Sequence, residues 1–141
     1  MERQIIVYGH GDKSSNGFKS AEVLVGYLEG GIFEDEDGRY RYSQTKLADV
    51  VIVARDGLAY GHLETDEAVR PSRADREAYP PVKKVYLVRK AVSYAAPVRL
   101  ASLGISNYRF GKYVDESQFS EILKRAGDVK ETGAQRSAKS A

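Results

Sequence analysis

One segment, DVVIVARDGLAYGHLE at residues 49–64, constrains the fold more than any other. Residues 48–55 form a β-branched apolar run, and residues 58–64 form a second run typical of a strand. Asp56-Gly57 lies between them and is a type I′ turn signal, since that turn needs positive φ at both central residues. The pattern therefore predicts an antiparallel β-hairpin near the middle of the chain.

The flanking segments predict further strands, loops and helices. Ala21, Leu24, Val25 and Leu28 have helical spacing and form one apolar face. The predicted strands are 4–8, 39–43 and 83–94. A polar surface loop is predicted at 65–81, with one helical turn within it as an alternative, and a short helical turn at 98–104. Helices are predicted at 19–29, ended by Gly30-Gly31, and at 116–126, which begins at Asp115 with Gln118 in a capping box.

This order of elements indicates the fold class. The strands follow one another too closely for repeated βαβ units, so we expect an α+β domain with a curved, mostly antiparallel sheet or small β-barrel flanked by helices. Residues 1–126 form the single predicted domain. Residues 127–141 contain no aromatic residue and one branched apolar residue, Val129, so a disordered tail or linker is predicted there.

Composition excludes several classes of function. The chain has no cysteine, so disulfides, thiolate catalysis and cysteine zinc sites are excluded. It has two histidines, which argues against a histidine-rich metal site. No apolar run approaches the ~18 residues that a membrane helix needs. The N-terminus lacks the apolar region of a secretory signal, which predicts a cytoplasmic location without membrane contact.

Basic residues alternate with aromatic residues in RYRYSQTK, residues 39–46. On a strand this alternation places Arg39 and Arg41 on one face and Tyr40 and Tyr42 on the other. The arginine face suits phosphate groups, or it belongs to a solvated edge strand whose charges prevent aggregation.

The segment before the first predicted helix is a second candidate anion site. Lys13 and Lys19 flank small polar residues there, at a helix N-terminus with free N–H groups. The predicted phosphate contacts are therefore Lys13, Lys19, Arg39 and Arg41. The net charge of +2 does not by itself indicate a nucleic-acid-binding protein.

Tyrosine is the dominant aromatic residue, with ten Tyr, four Phe and no Trp. Tyrosine combines a flat apolar ring with a polar group, as binding surfaces use it, and such rings stack nucleobases. The alternative is that most of these rings fill the faces of the sheet.

Catalytic motifs are absent from the sequence, which contains no GxSxG, P-loop or HExxH. The best candidate for catalysis is GHGD at 9–12, where His10 and Asp12 could act as base and orienting group, or share a metal ion with His62. The alternative is a loop stabilised by turn hydrogen bonds. We expect no enzymatic activity, no metal and no cofactor, with a small enzyme using His10 and Asp12 as an alternative.

The stretch from Asp49 to Leu103 resembles the core of PUA-like domains of the EVE and YTH-related branch. The resemblance rests on three segments, the first of which is the hairpin DVVIVARDGLAYGHLE. The second, KKVYLVRKAVSYAAPVRLASLGI, is similar to the late strand of that branch and its PV-x-L step. The third, YVDESQFSEILKRAG, is similar to its closing helix. It implies a compact curved sheet with helices that binds nucleic acid and holds a modified base in an aromatic pocket. The cage would be built from Tyr or Phe, because the chain has no Trp.

The resemblance further implies a reader of a modified base in double-stranded DNA, which extrudes that base from the duplex. Such a reader would be the targeting module of a restriction or defence protein, with a fused nuclease or motor module beyond residue 141. The base-pocket residues that we predict are Tyr8, Asn16, Phe18, Tyr42 and Tyr60, with Asn16 able to bond a base edge. An RNA-binding PUA-like module and a protein-interaction module are the alternatives.

Overall fold

The structure is a computed structural model that describes residues 3–10 and 18–133. Strands and helices alternate along this part of the chain. The strands are β1 (Ile5–Gly9), β2 (Arg39–Tyr42), β3 (Val50–Arg55), β4 (Leu58–Val69), β5 (Lys84–Arg99), β6 (Lys112–Val114) and β7 (Val129–Gly133). The helices are α1 (Ala21–Gly26), α2 (Ile32–Asp35), α3 (Arg73–Ala78) and α4 (Glu116–Ala126), with a π-type turn at Tyr27–Gly31 and a 3₁₀ turn at Leu100–Leu103.

All seven of these strands belong to one strongly curled, open sheet of order β2-β5-β4-β3-β1-β6. Strand β7 is not part of this order. It pairs with residues 90–94 of β5, and β2 pairs with residues 84–87 of the same strand. The β1–β3 pair is parallel and the other pairs are antiparallel, so the α+β class and the curved, mostly antiparallel sheet are confirmed.

The predicted hairpin is the centre of this sheet. Asp56 and Gly57 have φ of 51° and 83°, the positive values that a type I′ turn requires. Strand β4 continues to Val69, beyond the predicted end at residue 64, because it keeps pairing with β5 as far as Val69 opposite Val85. Polar residues 65–69 are thus part of a strand, and cross-strand hydrogen bonding outweighs their low apolar content.

The sheet is apolar on both faces, because alternate residues of its central strands point to opposite sides. Ile5, Val7 and Ile52 contribute to one core, which α4 covers with Phe119, Ile122 and Ala126. The second core contains alternate positions of the same strands and the apolar residues of α1 and α2, with Ile6, Tyr8, Val51 and Val53 facing Leu24, Leu28 and Ile32.

The first helical segment does not end at Gly30-Gly31 as predicted. It kinks there, with Gly30 at φ 132°, and continues as α2. The segment packs close to the sheet at Gly61, where a Cβ would lie 2.1 Å from the Val92 carbonyl oxygen and 2.8 Å from Leu28 Cδ1. Only glycine therefore allows this approach between β4, β5 and the helical turn.

The last helix begins and ends as predicted, but the segment after it is not a tail throughout. Asp115 accepts a hydrogen bond from the Gln118 backbone and Gln118 accepts one from the Asp115 backbone, which is the predicted capping box. Within the predicted tail, Val129–Gly133 form β7 against Lys90–Tyr94 of β5. An edge strand with exposed polar side chains has a composition like that of a tail, and only pairing distinguishes the two. Residues 134–141 lie outside the described residues.

None of the helices in the described ranges is long and apolar enough to cross a membrane.

Candidate ligand-binding cleft

A cleft of about 680 Å³ opens over the second core, between the α1–α2 segment, β2 and the end of α3. Its volume falls within the range of ~300–1,000 Å³ that is usual for small-molecule sites. We call it the aromatic cleft, because five ring-bearing residues line it: His10, Phe18, Tyr27, Tyr40 and Tyr79.

The cleft exists because the helical segment above it presents glycines. Gly26, Gly30 and Gly31 line it, and among the described residues outside its own helical turn no atom would lie within 4 Å of a Cβ on Gly26. Gly26 has φ −59° and ψ −39°, which any residue adopts, so its lack of a side chain is not required by the backbone. The apolar cover over this face of the sheet is therefore incomplete.

The rings of the cleft hold one another in fixed positions. The Phe18 ring lies 5.4 Å from His10 and 5.0 Å from Tyr27, measured between centroids, and the His10 contact is edge-to-face. A hydrogen bond of 2.7 Å joins His10 Nε2 and the Tyr40 hydroxyl. Burial raises the pKa of Tyr40 well above its ordinary value, so this hydroxyl stays protonated and neutral. The wall is a pre-formed apolar surface with polar atoms at set points.

Acidic residues dominate the charge at the cleft. Glu29, Glu34 and Glu36 line it, with Arg41 as the basic residue among its lining residues. Arg41 Nη1 lies 3.4 Å from Glu36 Oε1 and Lys130 Nζ lies 3.5 Å from Glu29 Oε2, so two of these charges are partly offset. Carboxylates accept hydrogen bonds from amino groups and repel phosphate, so the cleft suits a flat ring with an amino group better than it suits a phosphate.

Asp75, in the first turn of α3, holds this helix against β2. It is 1% exposed and accepts hydrogen bonds from Arg39 and, at 3.0 Å, from Arg41 Nε. Burial opposes its ionisation, but hydrogen bonds from Arg39 and from Ser72 outweigh that effect and hold the pKa of Asp75 well below its usual range. Ser72 and Asp75 also form the capping box that begins α3. Because this helix is fixed to β2, Ala78 and Tyr79 at its end close one side of the cleft.

The cleft contains one of the five predicted base-pocket residues, Phe18. Tyr8 is 3% exposed and lies behind the wall, edge-on to His10, with its hydroxyl 2.7 Å from Ser43 Oγ. Tyr42 is fully buried beside Tyr8, and Tyr60 packs against the same core outside the cleft lining. Asn16 lies outside the described residues.

The predicted phosphate residues are not gathered into one cationic surface. Arg39 and Arg41 do lie on the opposite face of β2 from Tyr40 and Tyr42, as the alternation predicts. Both arginines are bound to Asp75, which neutralises much of their charge. Lys19 is exposed next to Phe18, and Lys13 lies outside the described residues.

The hypothesis that His10 and His62 share a metal ion is wrong. His10 belongs to the aromatic cleft, whereas His62 packs on Phe119 and Tyr94 on the other face of the sheet. Across residues 3–10 and 18–133, no group of three His, Asp or Glu side chains is placed to hold a metal. Asp12 lies outside these ranges, so the proposed pairing of His10 with Asp12 stays a prediction.

Sequence reasoning missed Asp75, Tyr79 and the three glutamates of the cleft. Ser72 and Asp75 have the spacing of a capping box, which could have predicted α3. Nothing local connects Tyr79 to Phe18, because their proximity results from the pairing of β2 with β5 and from the ion pairs of Asp75.

No protein-family model matches this sequence, and neither a curated protein nor a solved structure matches it.

Proposed function

We propose that the chain is a nucleic-acid reader of the PUA-like kind, which takes an extruded, modified DNA base carrying an exocyclic amino group into the aromatic cleft. The observation that carries the proposal is the cleft itself, with five ring-bearing residues, an acidic lining and room for a nucleobase with an added substituent. A curled sheet with helices on it is also what the resemblance to PUA-like domains implies.

The charges of the cleft favour cytosine or adenine and their derivatives. Glu side chains accept hydrogen bonds from the N4 amino group of cytosine, and the N6 amino group of adenine offers the same kind of donor. Thymine presents a carbonyl oxygen at the equivalent position, which a carboxylate repels. The rings provide stacking surfaces, each worth roughly 1–3 kcal/mol for a base, which offsets the few kcal/mol needed to extrude it.

Fluorescence anisotropy with matched duplexes tests this proposal. The duplexes differ at one central base, which is cytosine, 5-methylcytosine, 5-hydroxymethylcytosine, adenine, 6-methyladenine or thymine, and an RNA of equal length is included. We expect at least a tenfold preference, or about 1.4 kcal/mol, for one modified base that bears an amino group. Equal affinity for all duplexes would overturn the reader proposal, and preference for the RNA would favour the RNA-binding alternative.

Two pairs of variants connect the preference to the cleft. Gly26→Leu places a side chain in open space within the cleft, and Glu22→Leu adds the same side chain to α1 outside the cleft lining. Phe18→Leu removes a ring from the cleft wall, and Phe33→Leu removes a half-buried ring that packs on the same core but does not line the cleft. The first member of each pair should abolish the base preference and the second should retain it. Equal effects within both pairs would place the recognition elsewhere.

A further inference from the structure

The edge of the sheet at β6 has a surface that the cleft does not use. It comprises Lys46, Leu47, Arg109, Phe110 and Tyr113, which we call the edge surface. Its large apolar side chains are exposed: Leu47 by 57%, Phe110 by 57% and Tyr113 by 44%. Exposed aromatic rings in a group indicate an interaction site more strongly than scattered ones do.

Internal contacts hold the edge surface together. The Tyr113 hydroxyl donates to the Leu47 carbonyl oxygen at 3.0 Å, and Lys46 Nζ donates to the Phe110 carbonyl oxygen at 3.2 Å. The guanidinium of Arg109 lies 5.2 Å from the centroid of the Phe110 ring. The two segments 43–47 and 107–113 are therefore joined into one surface.

A glycine fixes this surface to the core. Gly111 has φ 87°, and a Cβ there would lie 2.3 Å from the Tyr42 hydroxyl and 2.8 Å from Ile6 Cδ1. The backbone thus packs directly on the buried Tyr42 ring, which in turn lies 4.5 Å from the Tyr8 ring behind the cleft wall. Tyr113 pairs in register with Ile6 of the second core, so its ring lies on the face of the sheet that carries the aromatic cleft. Lys112 pairs with Val7 of the first core and points to the other face, so it is not part of the edge surface.

The charge of the edge surface is positive. Throughout the described ranges, no carboxylate forms an ion pair with Lys46 or Arg109. The cleft has the opposite character, since three glutamates line it and Arg39 and Arg41 are bound to Asp75. A phosphate backbone is therefore repelled from the cleft and attracted to the edge surface.

We propose that the edge surface binds a nucleic-acid strand, with phosphates on Lys46 and Arg109 and an unstacked base on Phe110 and Tyr113. Cations beside exposed aromatic rings are the combination that single-strand-binding sites use. The outer edge of β6 is only three residues long, which disfavours addition of a peptide strand as the occupant. The proposal extends the proposed function, on which it rests, by giving the strand its path outside the cleft.

An oligothymidylate of about 12 nucleotides isolates this surface from the cleft, because thymine has no exocyclic amino group. Binding of the labelled strand is measured by anisotropy over a range of salt concentrations. Phe110→Ala should weaken binding about 5- to 100-fold. Arg109→Gln and Lys46→Gln should each reduce the slope of log K against log salt by about 0.7. Lys124→Gln on α4, which removes an exposed charge from the other face, should leave both quantities unchanged.

The outcomes separate this proposal from that for the cleft. If Phe110→Ala and Arg109→Gln bind the oligonucleotide within twofold of the unsubstituted protein, the edge surface is not its site and the proposal is overturned. Self-association that Phe110→Ala removes, without oligonucleotide binding, would also overturn it, since the occupant would then be a second copy. If the preference among modified duplexes survives in Phe110→Ala and disappears in Gly26→Leu, two separate sites are shown. If Phe110→Ala loses oligothymidylate binding and the unsubstituted protein shows no preference among the duplexes, the edge surface is supported and the cleft is rejected.

Discussion

Each face of the sheet carries one buried histidine bonded to a tyrosine, and the two pairs differ in what covers them. His10 Nε2 lies 2.7 Å from the Tyr40 hydroxyl, and His62 Nδ1 lies 2.7 Å from the Tyr94 hydroxyl. Phe119 of α4 closes over His62, edge-to-face at 5.0 Å, whereas His10 lines the aromatic cleft. The same chemical pair is thus a core element on one face and a candidate binding element on the other.

The helices above the two pairs explain this difference. Helix α4 is an unbroken helix with apolar side chains at Phe119, Ile122 and Ala126, so it covers its face completely. The α1–α2 segment is kinked at Gly30 and presents glycine to the cleft. Burial of a histidine therefore does not distinguish a structural role from a functional one, and the side chains on the covering helix do.

Removal of the covering ring should have the largest effect. Phe119→Ala leaves a cavity over His62 and should lower the free energy of unfolding by about 3–5 kcal/mol. Phe18→Ala removes a half-buried ring from an open cleft and should cost about 1–2 kcal/mol. Urea denaturation measures both values. Equal losses would contradict the distinction between a closed and an open face.

Loss of the tyrosine hydroxyls should have an intermediate effect. Tyr94→Phe leaves the buried His62 Nδ1 without its partner and should cost about 1–3 kcal/mol. Tyr40→Phe should cost a similar amount, because His10 and Tyr40 are only 1% and 3% exposed and His10 Nε2 loses its partner in the same way. Thermal unfolding of both variants measures the two losses, and a much smaller loss for Tyr40→Phe would show that water from the cleft replaces the hydroxyl.

The closed pair should also make stability depend on pH. Burial lowers the pKa of His62 below its ordinary 6.5, against the opposing influence of Glu64. The unfolded chain then binds more protons below pH 6.5, so this contribution is complete above pH 6.5 and is lost as the pH falls toward the folded pKa. His62→Gln should flatten the stability profile between pH 5 and 7. An unchanged slope would show that His62 does not titrate in this way.

Glu64 should produce a second loss at lower pH. The hydrogen bond with His62, opposed by burial, and the charge of Lys90 together lower the pKa of Glu64 from 4.5 to about 2. Its contribution is present above pH 4.5 and is lost as the pH falls to about 2. An ionised Glu64 only accepts, so His62 carries its proton on Nε2 and the Tyr94 hydroxyl donates to Nδ1. Glu64→Gln should remove this second transition, which acid titration by circular dichroism would detect.

The smallest effect should come from the glycine above the open face. Gly26 has helical φ and ψ and a Cβ there meets no neighbouring atom, so Gly26→Ala should raise the free energy of unfolding by about 0.5–1 kcal/mol. Gly61→Ala is the contrasting change, since its Cβ would meet the Val92 carbonyl oxygen, and it should destabilise the protein. Stabilisation by both substitutions would show that Gly61 is not required for close packing of the sheet.

Local patterns predicted much of the fold. The apolar run, the Asp56-Gly57 turn and the capping box at Asp115 each depend on residues close together in the chain, and each is present in the structure. The alternation of Arg and Tyr in 39–42 likewise predicted which side chains of β2 are buried. Patterns of this range are set by backbone geometry and solvent exposure, which the sequence reports directly.

The candidate site could not be predicted in the same way. Phe18 was identified from the loop that contains it, but Tyr79 and Asp75 reach the cleft through pairing between distant segments. The extension of β4 and the formation of β7 also depend on partners in β5 that no local signal reveals.

The sequence by itself determined the class of fold, the central hairpin and the absence of cysteine chemistry. Tertiary structure alone decided which of many tyrosines surround a cleft, which arginines pair with Asp75 and which cations lie at the β6 edge. The physical reason is that burial and charge pairing depend on contacts between residues far apart in the chain, whereas turns, caps and strand alternation depend on neighbours.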